Sequence, residues 1–156
     1  PYGCVGVWNR SHYEDILVPR VHGTLPRDVW EPRYTAIEDF ERLVADAGIT
    51  LVKCFVHISR AEQAERFRER AADPAKQFKL AASDLRDRAH WDAFTDAYRD
   101  VIARCATHAP WYVVPANRKA ARDYLVAQLL VHHLEQLAPV APAPDPALLA
   151  AVAALD

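Results

Sequence analysis

The sequence is poor in glycine, cysteine and methionine, and it lacks long apolar runs. Its 156 residues include four glycines, three cysteines and no methionine. No G-x-x-x-x-G-K-[ST] phosphate-binding loop occurs. The cysteines form no C-x-x-C pair, which argues against a disulfide framework and a zinc site. No apolar run approaches the roughly 20 residues that cross a membrane, and no signal peptide is recognisable. We therefore predict a cytoplasmic protein without membrane contact.

The composition is that of an ordinary globular domain. Hydrophobic residues make up 51% of the chain and the formal net charge is −2. A chain of this size can bury a sizeable core. Without an overall positive charge, nothing in the composition favours nucleic-acid binding. The histidines form no ligand-spaced group, so the sequence predicts no metal site made by protein side chains alone.

The opening stretch is the most informative part of the chain. Val5–Trp8 reads as a short strand, and Asn9–Asp15, with the sequence NRSHYED, follows it at once. In open α/β sheets, ligands bind outside the carboxyl ends of the strands. Helix capping by Asn9 or Ser11 would explain one polar residue but not the whole cluster. We therefore interpret this cluster as part of a binding site.

The pattern of apolar residues predicts an α/β fold. Leu51–Ile58 is nearly continuous in apolar residues, as in a strand covered on both faces, and Trp111–Val114 reads as a further strand. Helices separate these runs, which favours at least three parallel strands with Val5–Trp8 as the first.

Several signals predict where the helices begin and end. Capping boxes at Thr35 and Ser59 predict helix starts, and Ser83 is expected to cap a long helix with an apolar side. Pro19 is expected to interrupt the first helix, since proline lacks a backbone donor. A final helix is expected over about 118–137. The Ala/Pro-rich tail that follows is expected to pack as one or two helical turns.

Three groups of motifs resemble one known family. The first group is Gly6–Asp15 with Leu17, Val18 and Arg20–His22. The second begins with FVHIS at Phe55–Ser59 and continues to Phe78 and Lys79 through Glu62, Gln63, Arg66, Phe67, Arg70, Asp73 and Pro74. The third is APWYVVPA at Ala109–Ala116. In this order and spacing, over residues 3–137, they resemble the polyphosphate kinase 2 family.

The resemblance implies a P-loop kinase-like fold, similar to thymidylate kinase, with a helical lid. Residues 1–137 would form a partial kinase domain, with a Walker B region at 5–15 and a lid at 59–82, and 138–156 would form the tail. The family's phosphate-binding loop would precede Pro1. We therefore expect a domain that is incomplete at its N-terminus and has little activity alone.

The resemblance also implies a set of site residues. Arg10, Arg66 and Arg70 would be catalytic, and the phosphate- and nucleotide-binding residues would be Asn9, Tyr13, Glu14, Arg20 and Lys79. Mg²⁺ would be held mainly through the phosphates, since Asn9 stands where a Walker B acid is expected. The residues themselves add one argument, because Arg66 and Arg70 are four apart and share a helix face. Alternatively, these arginines simply pair with Glu62 and Glu69 on a solvated surface.

The implied activity is Mg²⁺-dependent phosphoryl transfer between inorganic polyphosphate and AMP or ADP, in a homo-oligomer. Two alternatives stay open at this stage. One is a nucleoside monophosphate kinase that uses ATP. The other is a non-catalytic domain that oligomerises, which the lack of a phosphate-binding loop favours for the chain as written.

Overall fold

The computed structural model describes residues 3–155 and shows a mixed α/β fold. The elements are, in chain order, α1 (Glu14–His22), α2 (Arg27–Trp30), α3 (Arg33–Asp46), β1 (Lys53–His57), α4 (Arg60–Ala72), a 3₁₀ turn (Gln77–Lys79), α5 (Ala82–Ala89), α6 (Trp91–Arg104), β2 (Trp111–Pro115), α7 (Lys119–Leu137) and α8 (Pro146–Ala153). The domain ranges 1–137 and 138–156 therefore reach residues that lie outside the described part. No helix within 3–155 has both the length and the apolar character needed to cross a bilayer.

The two strands lie side by side and run parallel. Lys53 pairs with Trp111, and the register continues to His57 opposite Pro115. This confirms the predicted parallel arrangement and both strand positions to within two residues. The long crossover between the strands carries α4, α5 and α6. Both strands therefore end at the same edge, close to the start of α4.

The predicted strand at Val5–Trp8 does not form among the described residues. Val5 and Val7 are 75% and 88% exposed, and the described sheet contains only β1 and β2. A strand exists through its hydrogen-bonded neighbour, and this segment has none within residues 3–155. The prediction of three strands was therefore wrong for this structure. The expectation that β1 is covered on both faces was also wrong, since Val56 is 47% exposed.

Helix α1 continues through Pro19, contrary to prediction. Proline cannot donate to the carbonyl oxygen four residues earlier, which belongs to Asp15. That oxygen instead accepts a hydrogen bond from Arg33 Nη1 at 2.6 Å. The side chain of Arg33 thus replaces the missing backbone donor, so the helix ends only at Gly23, where φ is +64°.

The helix starts were predicted with mixed success. Ser59 caps α4 as expected, because its Oγ accepts from the backbone nitrogen of Glu62 at 3.1 Å. Thr35 lies inside α3, which begins at Arg33 after a proline already in helical conformation. Ser83 does not cap a long helix. The helix starts at Ala82 and ends at His90. The backbone nitrogen of His90 donates to the carbonyl oxygen of Asp87, three residues earlier, and the chain turns there.

The core joins α1, α3 and α6. Its buried apolar residues are Tyr13, Ile16, Leu17, Tyr34, Ile37, Ala97, Val101 and Cys105. Val101 and Cys105 are fully buried, whereas Leu85 is 63% exposed. Burial of this apolar surface holds α1 against α6 and so fixes where the residues before α1 lie.

The final helix and the tail are exposed. Helix α7 begins within one residue of the prediction, but none of its side chains is buried. The tail forms the short helix α8, in agreement with the predicted one or two helical turns, and Asp145 caps it. It does not pack, however, since Leu148, Leu149 and Val152 are all more than half exposed.

Candidate functional site

A large cavity opens beside β1, between α1, α5 and α6. It has a volume of about 720 Å³. Its charged lining residues are Arg10, Glu14, Asp87, Arg88 and Arg99, and its aromatic ones are Phe55, Trp91, Phe94 and Tyr98. An apolar wall with a few charged groups at its margin is the usual make-up of a small-molecule site. The arginines exceed the carboxylates, so the charged margin favours an anion.

Arg10 lies at the margin of this cavity in an unusual backbone conformation. Its φ is +77°, a left-handed value that costs a non-glycine residue about 1–3 kcal/mol. Its guanidinium is 77% exposed and lies 3.3 Å from Glu14 Oε2. Strain of this kind collects at functional sites when the surrounding structure holds it in place. Arg10 and Glu14 are the two predicted site residues that line the cavity.

Tyr13 points into the core, away from the cavity. It is 1% exposed, and its hydroxyl donates to Glu41 Oε1 at 2.6 Å. Burial first, and the neighbouring Glu41 second, raise the pKa of the Tyr13 phenol far above its ordinary range. The phenol therefore stays protonated and is not accessible to a nucleotide in this structure.

Arg20 also serves packing in this structure. Its Nη1 lies 2.6 Å from Asp100 Oδ2 and donates to the hydroxyl of Tyr34 at 3.0 Å. The guanidinium lies 5.6 Å from the ring centre of Trp30. These contacts join α1 to α6, α3 and α2. Asn9 is exposed on the bend before α1 and does not line the cavity.

The predicted lid arginines lie on α4, outside the cavity wall. Arg66 donates from Nε to Glu62 Oε1 at 2.8 Å and from Nη2 to the carbonyl oxygen of Ala116 at 2.5 Å. Arg70 lies 5.8 Å from the ring centre of Phe67. Lys79 is exposed beside its neighbouring phenylalanine. The structure therefore does not bring these three cations together with Arg10.

The base of α4 is joined to the end of β2 by Asn117. Its Oδ1 accepts from the backbone nitrogen of Ser59 at 2.9 Å, and its Nδ2 lies 3.3 Å from Ser59 Oγ. Together with the bond from Arg66, these contacts fix the first turn of α4 to the carboxyl edge of the sheet. The rest of α4 has no buried residue.

Sequence reasoning missed Arg88 and Arg99. Arg88 Nη1 donates to the carbonyl oxygen of Arg60 at 2.8 Å and to Gln63 Oε1 at 2.7 Å, which places it between α5 and α4. Arg99 follows Thr95 by one helical turn on α6, and both line the cavity. The spacing of Thr95 and Arg99 was a usable signal, since residues four apart share a helix face.

The described residues contain no ready-made metal site. Within residues 3–155, no group of three or more His, Cys, Asp or Glu side chains is arranged to hold a metal ion. The two cavity carboxylates already have partners, since Glu14 lies near Arg10 and Asp87 Oδ1 lies 2.9 Å from His22 Nε2. A metal bound here would depend on ligands from the substrate.

The comparisons with known proteins agree with one another. The family model of polyphosphate kinase 2 matches residues 1–141. The AMP/ADP-polyphosphate phosphotransferase of Meiothermus ruber is 47% identical over 146 residues, which cover 93% of this chain and 55% of the relative. The ADP-polyphosphate phosphotransferase of Rhodopseudomonas palustris is 34% identical, with the same two coverages. The chain thus spans about half the length of these relatives.

A solved structure supports the fold. The crystal structure of polyphosphate kinase 2 from Arthrobacter aurescens TC1 superposes with a TM-score of 0.81 at 41% sequence identity. The match covers 92% of this chain and 52% of that one. The predicted resemblance is thereby confirmed, and the chain belongs to the polyphosphate kinase 2 family.

Proposed function

We propose that this chain carries part of the site of a phosphotransferase that moves phosphoryl groups between inorganic polyphosphate and AMP or ADP. The names of the relatives from Meiothermus ruber and Rhodopseudomonas palustris support this choice of substrates. The P-loop kinase-like architecture, with 5–15 as its Walker B region, is part of the proposal. So is the low activity of these 156 residues alone.

The observation that carries the proposal is the arginine-lined cavity with Arg10 at its margin. Polyphosphate is a chain of closely spaced negative charges, and the planar guanidinium group binds such oxygens through two parallel hydrogen bonds. Phosphoryl transfer depends chiefly on positioning and on neutralising charge. Arg10 would contact the transferred phosphate, while Arg88 and Arg99 would bind neighbouring groups.

The lid is the second part of the proposal. Helix α4 would swing over the cavity about its fixed first turn and bring Arg70 and Lys79 to the phosphates. Arg70 contacts only an aromatic ring among the described residues, so its guanidinium is free to take a new partner. Arg66 would have to exchange its bond to Ala116, and its role is therefore tied to lid closure.

Magnesium would enter with the phosphates. Mg²⁺ keeps several waters and binds through one or two carboxylates together with substrate phosphates. Glu14 and Asp87 are the cavity carboxylates that fit this limited role. When bound, the ion would neutralise charge on the phosphates, and the protein would contribute the arginines that orient them.

Donor preference tests the proposed activity. The full-length protein is assayed for ATP formation from polyphosphate and ADP, and separately for ADP formation from ATP and AMP without polyphosphate. We expect turnover that requires polyphosphate. Turnover with ATP and AMP alone would instead identify a nucleoside monophosphate kinase. Absence of both reactions in a folded protein that self-associates would favour the non-catalytic, oligomerising domain.

Arg10→Ala tests the site. We expect kcat/KM to fall at least about 100-fold, since a single arginine supplies that much or more in related chemistry. Arg42→Ala is the matched control, because Arg42 pairs with Asp39 and Asp46 on the exposed side of α3. Equal activities of the two variants would overturn the role given to Arg10.

A further inference from the structure

A buried cluster of three polar side chains lies beneath the start of α1. Tyr13, Glu41 and Lys53 are 1%, 0% and 8% exposed. Lys53 Nζ donates to Glu41 Oε2 at 2.6 Å, to the hydroxyl of Tyr13 at 3.0 Å and to the carbonyl oxygen of Cys105 at 2.7 Å. The hydroxyl of Tyr13 in turn donates to Glu41 Oε1 at 2.6 Å. His12 Nε2 lies 3.5 Å from the same oxygen.

Every donor of the cluster is used. An ammonium group has three N–H donors, and Lys53 donates them to three different segments of the chain. Glu41 comes from α3, Lys53 begins β1, and Cys105 ends α6. Tyr13 is the residue at which α1 starts. The cluster therefore ties the start of α1 to three other elements at one point.

Stability alone does not explain such a cluster. Removing two charges from water costs about as much free energy as their mutual attraction supplies. Apolar side chains of similar volume therefore often stabilise a core equally well. Hydrogen bonds, however, demand fixed atom positions, within a few tenths of an ångström. What the cluster adds over an apolar core is a defined place for the Tyr13 hydroxyl, and hence for the backbone at the start of α1.

That backbone carries the cavity residues. Arg10 precedes Tyr13 by three residues and Glu14 follows it directly. Helix α1 has no side-chain cap at Tyr13, so its first turn depends on this buried anchor. We infer that the Tyr13–Glu41–Lys53 cluster positions Arg10 and Glu14 at the cavity for phosphoryl transfer. The three are positioning residues that do not touch substrate, and the inference rests on the proposed function.

A double-mutant cycle tests the inference. Tyr13→Phe removes the hydroxyl and keeps the ring, and it is made in the full-length protein with and without Arg10→Ala. If Tyr13 acts through Arg10, the single change lowers kcat about 10-fold or more, because small misplacements of a phosphate contact are costly. In the Arg10→Ala background the same change alters kcat less than about twofold, since the two effects are then not additive.

Tyr34→Phe is the matched control. Tyr34 is also buried and its hydroxyl is also bonded to a cation, but that cation is Arg20, and among the described residues Tyr34 has no hydrogen bond to Tyr13, Glu41 or Lys53. It should lower the melting temperature by a similar amount and change kcat less than about twofold. A purely structural role for Tyr13 predicts the same behaviour for both variants. If Tyr13→Phe does not fold, Lys53→Arg takes its place in the cycle.

The outcomes separate this inference from the proposed function. If Arg10→Ala leaves kcat unchanged, the role of Arg10 in the proposed function falls, and the positioning role falls with it. If Arg10→Ala lowers kcat but Tyr13→Phe does not, or the two effects simply add, the positioning role alone is overturned.

Discussion

At the scale of single residues, the arginines of this chain divide into paired and available groups. Arg66 has three hydrogen-bond contacts, whereas Arg70 has only an aromatic neighbour among the described residues. Both were implied as catalytic by the family resemblance, with their shared helix face as an added argument. The contacts show that this face alone does not determine which guanidinium is available, because the guanidinium of Arg66 already donates to the carbonyl oxygen of Ala116, just after β2.

The first prediction concerns Arg70. Arg70→Ala should lower kcat by roughly 100-fold, with a smaller effect on KM, since a residue that meets the phosphates only after lid closure acts mainly on the reacting complex. Arg68 is the control, because it pairs with Glu65 on the exposed side of the same helix. Steady-state kinetics of both variants in the full-length protein is the measurement. Small, equal effects would mean that α4 is a solvated surface helix.

The second prediction concerns the cysteines. Burial raises the pKa of the Cys105 thiol to about 11, and its side chain is fully buried, whereas Cys4 is exposed. Because the thiolate is the reactive form, a maleimide at pH 7 should label Cys4 within minutes and Cys105 only after unfolding. Peptide mass spectrometry of the labelled protein measures this. Rapid labelling of Cys105 in the folded state would contradict the packing of α6.

At the scale of elements, the helix ends show how tertiary contacts add to local signals. Ser59 satisfies a backbone donor of α4 and also meets the side-chain amide of Asn117. The local capping signal was therefore reinforced by the end of β2. The equally plausible signal at Ser83 had no such support, and the helix began one residue earlier.

The third prediction follows from this difference. Ser59→Ala should lower the free energy of unfolding by about 1 kcal/mol, since it removes a cap. Ser83→Ala should change it by less than about 0.5 kcal/mol, because Ser83 lies within the first turn of α5 and caps nothing. Urea unfolding followed by circular dichroism gives both values. A larger loss for Ser83→Ala would show that the cap assignments are reversed.

At the scale of the whole molecule, acid should weaken the fold through Glu41. Burial alone would raise the pKa of this carboxyl, but contacts from His12, Lys53 and Tyr13 hold it below its ordinary value. The unfolded state then binds a proton first as the pH falls. The stability from Glu41 is therefore fully present above about pH 4.3 and is lost progressively below it.

Urea unfolding between pH 7 and pH 3 measures this fourth prediction. Asp73→Asn is the control, since the pKa of Asp73 is also lowered, through its hydrogen bonds with Lys76 and the backbone of Ala75, but its side chain is 37% exposed whereas that of Glu41 is fully buried. The control should keep most of the loss in acid. If Asp73→Asn abolished the loss, the buried cluster would not be its cause.

The fifth prediction concerns the activity of the chain alone. The purified 156-residue chain should turn over polyphosphate and ADP far more slowly than the full-length protein, because it contains no phosphate-binding loop motif. Both proteins are compared at equal concentration in the same ATP-formation assay. Comparable rates would show that the described cavity suffices. The predicted cytoplasmic location and homo-oligomer stay predictions.

The sequence by itself determined the family, the parallel order of β1 and β2 and most of the helix positions. These depend on local patterns, such as apolar periodicity and caps, that a few neighbouring residues carry. It also contained two signals of the buried cluster from which no prediction was made. Lys53 is a charge within an apolar run, and Glu41 follows Ile37 by one turn on the buried side of α3.

Only the tertiary structure decided what those side chains do. Whether Tyr13 meets a nucleotide or the core depends on Glu41 and Lys53, which are 28 and 40 residues away in the chain. Whether Val5–Trp8 becomes a strand depends on a hydrogen-bonding neighbour, which no local pattern supplies. Helix α1 passes Pro19 because Arg33 replaces the lost donor. Each outcome depends on a partner brought close by folding, and spacing along the chain does not encode that proximity.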